Sequence, residues 1–480
     1  MNFTNEQLLA INTEGNMLVS ASAGSGKTTV MIQRILRLLK SGVQMNEIFV
    51  STFTNASALD MRTKLKRELI NYDSIVDNLH QASIGTFHSL CSKLIRKFFY
   101  AVDIDPDFAL MDEKESDLIL QECIEQIVQE TNRNPTQDYL SLYNVLLLNR
   151  TDRALRQQIA KIYYFSRTQV NDSEWLLKAS NSHAKPQNFI VEYQKKRESK
   201  LQSLKAQLLQ FQELARQVEL DFGIYVTELL DFLDGRACTL STLSKKKCKF
   251  CEKTSGFIYN RQVEVYEQFK DFKLYFKSKA EKLNLEICDP ELALPFVLEI
   301  LRLTELSAQR YERKKQQVAK LDFADIEHKM LKVLENSDTR QLILSEIKYL
   351  FVDEYQDINP LQDKILSMLG QNAQIFIVGD VKQSIYSFRM CDPKFFIQKL
   401  KDSTLQQVNL NGNFRSRIEI LDFVNSVFAP VMTTDWGGAD YSQDSMLSGG
   451  NNSIPASFPI PSKSAVVCKI VKNEQIDASQ

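Results

Sequence analysis

The chain has 480 residues, 44% hydrophobic and 25% charged, with a formal net charge of −1. That composition is of an ordinary globular protein long enough for roughly two to four domains. The near-zero charge excludes a global field for nucleic acid, so any such contact has to come from a local basic surface.

No apolar run approaches the length of a membrane span, and Met1–Asn5 lacks a signal-peptide pattern. The cytoplasm is the expected compartment, with no membrane partner. The first strong signal is an apolar run, Met17-Leu18-Val19, followed by Ala21-Ser22-Ala23-Gly24-Ser25-Gly26-Lys27-Thr28 and a helix-patterned segment, Thr29–Leu36. Strand, glycine-rich loop and helix in that order make a phosphate-binding loop. Small residues let backbone N–H groups crowd around phosphate oxygens, and the helix N-terminus adds partial positive charge. Lys27 can reach the terminal phosphates, and the Thr28 hydroxyl suits a Mg²⁺ position. Ala21 stands where such loops usually have their first glycine, and it is nearly as small.

Short β-branched or aromatic runs at Ile48–Thr52 and Ile84–Thr86, each followed by a helical pattern, give residues 1–108 the texture of an α/β domain with a parallel sheet. Arg62, Lys64, Lys66 and Arg67 follow the first of these runs, and Lys93, Arg96 and Lys97 the second. They read equally as backbone-phosphate contacts or as solvated helix faces. From 109 to 320 the texture is helical: Leu118, Leu120, Cys123, Ile124, Ile127 and Val128 repeat at helical spacing, as do Leu201, Leu204, Leu208, Phe211, Leu214 and Val218. Because strand texture returns afterwards, this is expected to be a helical domain inserted into the α/β domain. Cys248 and Cys251 have zinc-like spacing, but only Cys238 is near, which leaves a tetrahedral site one ligand short. They read as part of an exposed basic segment with Lys245, Lys246, Lys247 and Lys249, which could touch duplex DNA. Cys91, Cys123, Cys288, Cys391 and Cys468 read as small core residues.

Strand texture resumes at Tyr349–Val352 and Ile375–Val378, so 321–394 is expected to complete the first α/β domain and 395–480 to begin another. Residues 432–464, rich in Gly, Ser, Asn and Pro, read as a long loop, and 465–471 as a strand before a polar tail. The run Phe351-Val352-Asp353-Glu354-Tyr355-Gln356-Asp357 ends a buried strand in two carboxylates, at the sheet edge where phosphate loops sit. Asp353 is suited to hold Mg²⁺, and Glu354 to polarise a water attacking a γ-phosphate. Another strand delivers Gly379-Asp380 to a turn, and the Gln383 amide can sense a γ-phosphate. Tyr386 and Phe388 read either as base-stacking or as core aromatics. In Asn413-Phe414-Arg415-Ser416, Arg415 can neutralise transition-state charge and Phe414 can stack on adenine.

The order of these segments resembles that of the superfamily-one DNA helicases of the UvrD/Rep type. Phe3-Thr4-Asn5-Glu6-Gln7 resembles their Q motif, which implies that Gln7 reads adenine. Ala21–Thr28 matches their first motif. Thr52–Ala58 and Gly85–Leu90 resemble motifs Ia and Ib, which implies single-stranded DNA contacts from Phe53, Thr54, Asn55, Thr86 and His88. Leu321–Ile326 is similar to the segment before the Asp-Glu motif; Asp353–Asp357, Gly379–Arg389 and Asn413–Ser416 match motifs II, III and IV. Within the family the AddA (RexA) branch of helicase-nucleases is most similar.

The resemblance implies a RecA-like phosphate-loop NTPase domain, a large helical 1B insertion and an incomplete second RecA-like domain. It also implies ATP and Mg²⁺ as cofactors, single-stranded DNA and duplex ends as partners, an AddB/RexB-like partner protein, and 3′→5′ translocation serving recombinational repair. Motifs V and VI and a nuclease domain have no counterpart in the sequence, so an N-terminal portion of such a protein is expected, binding ATP better than it hydrolyses it. Two other classes stay in view: an ATP- and DNA-binding or partner-docking module without motor activity, and an unrelated phosphate-loop enzyme such as a kinase. Motifs Ia, Ib and III argue against the last.

Overall fold

The computed structural model describes residues 3–70, 82–146, 152–172, 187–217, 290–386 and 390–429, with shorter stretches and single positions between them and up to residue 449. In chain order, helix α1 (Asn5–Asn12) precedes β1 (Met17–Ala21), α2 (Lys27–Lys40), β2 (Ile48–Thr52), α3 (Asn55–Glu68), β3 (Ser83–Thr86) and α4 (Phe87–Lys97). A two-residue strand, β4 (Ala109–Leu110), leads into α5 (Glu113–Arg133), α6 (Gln137–Leu146), α7 (Arg153–Arg167), α8 (Gln187–Gln217) and α9 (Pro290–Gln317). After β5 (Lys320–Leu321) come α10 (Phe323–Glu335), α11 (Ser337–Glu346), β6 (Tyr349–Val352), α12 (Pro360–Leu369), β7 (Gln374–Gly379), α13 (Lys394–Leu400) and β8 (Gln406–Leu410). Strand β9 (Gly412–Asn413), α14 (Ile418–Phe428) and β10 (Ser448–Gly449) follow.

Six strands form one sheet in the order β3-β2-β6-β7-β1-β8, every neighbouring pair parallel. Both faces are covered, as a parallel sheet requires, and the alternation along each strand divides the core in two. Leu18, Phe49, Leu350, Val352 and Ile377 point into one cluster, which α4, α10 and α12 complete with Leu90, Met330 and Leu361. Met17, Val19, Val50, Phe351, Phe376 and Val378 point into the other, which α1, α2 and α3 complete with Ala10, Ile35 and Met61. The expected α/β architecture with a parallel sheet is therefore present. Since all strands run the same way, the segments that leave β1, β2, β3, β6, β7 and β8 emerge along one edge.

Two expected boundaries move. Strand β8 pairs with β1 from Met17↔Gln406 to Ala21↔Leu410, and Val408 and Leu410 are buried in the same core as β1. The first sheet thus runs on past residue 395, because these apolar side chains cover the open edge of β1. The helical excursion begins and ends side by side, Ala109 opposite Lys320 and Leu110 opposite Leu321. It divides between two compact units: residues 1–129, 156–173 and 304–480 in one, 130–155 and 174–303 in the other. The first parts of α5 and the last parts of α7 and α9 thus belong with the sheet. A buried ion cluster explains this for α7 and α9. Lys315 on α9 reaches Asp325 at 2.5 Å and Asp322 at 3.3 Å, while Arg167 on α7 pairs with Asp325 at 2.8 Å and Asp172 at 2.6 Å. Removing one partner of such a group strands a buried charge, at a cost of about 3–5 kcal/mol.

In the second unit, Tyr139, Leu142, Leu204 and Leu208 are buried, and the Tyr139 hydroxyl donates to Asn132 Oδ1 at 2.8 Å. Cys91 and Cys123 are buried as expected, whereas Cys391 is half-exposed. Cys238, Cys248, Cys251, Cys288, Cys468 and the Lys245–Lys249 run lie outside the described residues. Among the described residues no helix is long and apolar enough to cross a membrane.

Candidate functional site

The phosphate loop leaves β1 at Ala21, which is fully buried and is not among the described residues with positive φ, so that position makes no demand for glycine. Gly24 and Gly26 do, with φ of 71° and 86°, a region that penalises any side chain. A Cβ on Gly24 would also lie 2.7 Å from Asn413 Nδ2. Gly26 caps α2, so Lys27 and Thr28 open that helix at its positive end. The Lys27 ammonium contacts both Glu354 oxygens, at 3.1 and 3.0 Å.

Glu354 sits just past β6 with φ 52°, a left-handed conformation uncommon for a side-chain-bearing residue and characteristic of functional turns. Beside it, burial first and then the Glu354 charge push the Asp353 carboxyl up to about 6, with Lys27 opposing. Burial and Glu354 raise Asp357 to about 6 as well. Asp353 is thus a carboxylate that a cation would relieve. Among the described residues no group of three or more His, Cys, Asp or Glu is arranged for a metal. A Mg²⁺ here would take Thr28 and Asp353 and complete its shell with phosphate and water, which is how this ion is usually held.

Sequence reasoning overlooked the side chains that tie these loops together. Gln356 Nε2 donates to Glu354 at 2.8 Å and Asp357 at 3.2 Å, while its Oε1 accepts from Asp380 N–H at 2.9 Å. One amide therefore joins the loops after β6 and β7. Lys382 reaches Asp380 at 3.0 Å and Ser22 Oγ at 3.4 Å, linking the β7 loop to the phosphate loop. The Gln383 amide donates to Asp380 at 2.7 Å. Asn413 Nδ2 donates to Ala23 O at 2.7 Å, and Phe414 N–H donates to Gly24 O at 2.8 Å. The Asn413 oxygen accepts from the N–H groups of Arg415 and Ser416 at 2.9 and 2.7 Å, so one residue fixes the Arg415 turn against the loop. Arg415 itself is exposed.

Gln7 also arrives at the phosphate loop. Its Oε1 accepts from Thr4 N–H at 3.0 Å in a capping box, and its Nε2 donates to Ser25 O at 3.0 Å. One amide proton and one lone pair remain for a base. The only sequence signal for these links was proximity: Gln356 lies two residues past Glu354, and Asn413 two before Arg415.

Farther along the same edge is a cavity of about 920 Å³, lined by Phe53, Thr54, Asn55, Thr86 and His88. Asp353, Glu354 and Asp357 line it too, so it reaches the nucleotide carboxylates. Its other wall includes Lys161, Tyr163, Tyr164 and Arg167 of α7, none of which the sequence singled out. Thr54 and Thr86 cap α3 and α4 by accepting from Ser57 and Ser89 N–H groups. Phe53 lies against Tyr386, ring centroids 4.7 Å apart. His88 Nε2 is 2.9 Å from Glu327 Oε1. Burial alone would raise the Glu327 carboxyl, but bonds from His88, Asn359 and Gln362 outweigh it and hold the group below the usual range.

Phe388 lies outside the described residues. Several cations expected to follow motifs Ia and Ib have protein partners instead: Arg62 with Ile84 O, Lys64 with Asp60, Lys93 with Ser83, Arg96 with Phe108 O, and Lys97 with Glu346. Lys66 and Arg67 are exposed.

The sequence also has recognisable relatives among known proteins. A profile of the UvrD/REP helicase N-terminal domain matches residues 1–404. The chain is 30% identical to an ATP-dependent helicase/nuclease subunit of Alkaliphilus oremlandii, over 99% of the chain and 43% of that protein. It is 31% identical to the namesake in Syntrophomonas wolfei, over 94% of the chain and 40% of the relative, and 30% identical to that of Pediococcus pentosaceus, over 94% and 41%. The chain spans about two-fifths of the length of these curated relatives.

Proposed function

This chain belongs to the UvrD/REP helicase family, and from that premise we propose that it is the ATP-binding, DNA-gripping part of a 3′→5′ DNA motor of the AddA (RexA) type. The observation that carries the reading is the single sheet edge on which Lys27, Asp353 and Glu354 meet a cavity lined by Phe53, Thr86 and His88. A nucleotide and a strand bound there would share one wall.

In this reading the β1–β8 sheet is a RecA-like domain, residues 130–155 and 174–303 contribute the 1B insertion, and a second RecA-like domain begins after Leu410. Backbone N–H groups of residues 22–28 surround the phosphates, Gln7 and Phe414 meet adenine, and Lys27 leaves Glu354 for the β- and γ-phosphates. A triphosphate carries several negative charges and so outcompetes one carboxylate for that ammonium. Bound Mg²⁺, held by Thr28 and Asp353, would neutralise charge on the phosphates. Freed Glu354 orients and deprotonates the attacking water, while Gln383 and Arg415 approach the γ-phosphate. Gln356 and Lys382 then relay the change to the loop carrying Tyr386, beside Phe53. The relatives' designation as one subunit of a helicase/nuclease supports a partner protein, which we read as AddB/RexB-like; work at duplex ends in recombinational repair, in the cytoplasm, completes the reading.

The test is threefold: binding of a fluorescent ATP analogue, binding of labelled oligo(dT), and strand displacement from a duplex with a 3′ single-stranded tail. Mutually dependent binding of ATP and oligo(dT) is expected. Binding of both without strand displacement would identify a DNA-binding module rather than a motor. Binding of nucleotide alone would sink the DNA assignment.

A further inference from the structure

One buried carboxylate has no part in the nucleotide chemistry. Glu327, on α10, is 4% exposed and accepts from three side chains on two other segments. Its Oε1 takes His88 Nε2 at 2.9 Å and Gln362 Nε2 at 2.6 Å, and its Oε2 takes Asn359 Nδ2 at 3.0 Å. The two amides cannot turn round. Asn359 and Gln362 form the capping box of α12, and their oxygens are occupied by each other's backbone N–H, at 2.8 and 3.3 Å. Only their NH₂ groups face Glu327, so three donors converge on one acceptor-only group.

An ionised acceptor dictates the state of His88: Nε2 carries a proton, and Nδ1 is the nitrogen left to other partners. The ring lies between Phe323, with centroids 4.8 Å apart, and Phe87, edge-on at 5.6 Å, so its plane is held as well. The His88 side chain keeps 27% of its surface exposed and lines the cavity. A capping box does not need a buried anion beside it, since its backbone bonds are already made. What the anion adds is an acceptor that keeps the neighbouring imidazole turned with Nε2–H inward.

We propose that Glu327 is a positioning residue for nucleic-acid binding, holding His88 with Nε2–H inward so that Nδ1 is presented as an acceptor to base N–H donors in the cavity. This rests on reading the cavity as the path of single-stranded DNA. The Asp353–Asp357 carboxylates line the same cavity, but the hydrogen bonds of Glu327 go to His88, Asn359 and Gln362. In this proposal the effect of Glu327 on DNA affinity runs through His88.

The test combines oligo(dT) affinity with ¹⁵N spectra of histidine-labelled protein, which are tractable because the chain has only 4 histidines. The His88→Ala variant assigns the His88 signals. Glu327→Gln keeps the shape but turns an NH₂ of its own toward the donors, and Glu327→Asp keeps the charge while withdrawing it, which covers a folding failure of the first. His88→Ala and the better-folded Glu327 variant should each weaken oligo(dT) binding about five-fold, the worth of one hydrogen bond. The double variant should be no weaker than either single one, and the His88 signals should pass from one tautomer to a mixture. If His88→Ala weakens binding while the Glu327 variant keeps full affinity and a single tautomer, Glu327 has no positioning role and the DNA reading stands. If His88→Ala leaves affinity unchanged, the DNA reading of this loop fails, and the role of Glu327 with it.

Discussion

At the β1 end of the sheet the loops are held largely through backbone groups: Ala23 and Gly24 carbonyls on the Asn413 turn, Ser22 N–H on Leu410, Asp380 N–H on Gln356. At the β2–β3 end the cavity wall is held by side chains reaching across long stretches of sequence, such as His88 to Glu327 and Phe53 to Tyr386. Backbone bonding demands a local residue pattern, because glycines and small residues are needed where main chains approach closely. Side-chain bonding demands only the right group at the end of a long reach. The nucleotide end is therefore narrow in the sequences it tolerates, and the cavity is open to many solutions.

The two ends should separate under mutation. Lys27→Ala should reduce ATP-analogue affinity by about 100-fold, since it removes a charge-assisted contact to phosphate, with oligo(dT) affinity kept within two-fold in the absence of nucleotide (roughly 3 kcal/mol against less than 0.5). An equal loss of both would mean that the ends are one site. Phe53→Ala should give the mirror result, about a ten-fold loss of oligo(dT) affinity with nucleotide binding intact, from one lost stacking contact.

A smaller effect comes from pH. With Asp353 raised to about 6, it is largely protonated at pH 5 and ionised above pH 7. Affinity for the ATP analogue with Mg²⁺ should therefore climb several-fold between those values, and Asp353→Asn should flatten the climb. A wild-type profile level from pH 5 to 7 would remove Asp353 from the metal's shell.

Asp357 gives the smallest change. Its folded-state value of about 6 lies above the ordinary 3.8, so the native chain holds this proton more tightly than the unfolded chain. Stability from this group is full below the unfolded value and declines as pH rises through the folded one. Asp357→Asn should thus raise Tm by about 2–4 °C at pH 7.5 and by less at pH 4.5, measured by calorimetry. A larger gain at the lower pH would contradict the assignment.

The β1 end could be read from the sequence because its requirements are local: two glycines, Lys27, Thr28 and a strand before them. The parallel sheet was readable from short apolar runs alternating with helical patterns. The extent of the first sheet was not, because Gln406–Leu410 looks the same whether it closes one sheet or begins another; only the open edge of β1 decides. Gln356 and Asn413 lay inside recognised runs, yet their tasks depend on which backbone groups come within reach after folding. Glu327 and the α7 side chains left no signal, since a lone carboxylate or a pair of tyrosines on a helix is ordinary until its neighbours are known.

The strand order β3-β2-β6-β7-β1-β8 has a consequence for biosynthesis. The phosphate-loop strand has no partner among the strands made soon after it. Its first neighbour is β7, with Met17 opposite Phe376, 359 residues later in the chain. At ordinary translation speeds that is roughly 20–70 s during which an apolar strand leaves the ribosome with both edges bare. The nascent chain is thus a natural client for chaperones, and the phosphate loop meets its partners Asn413 and Phe414 only when synthesis has passed β8.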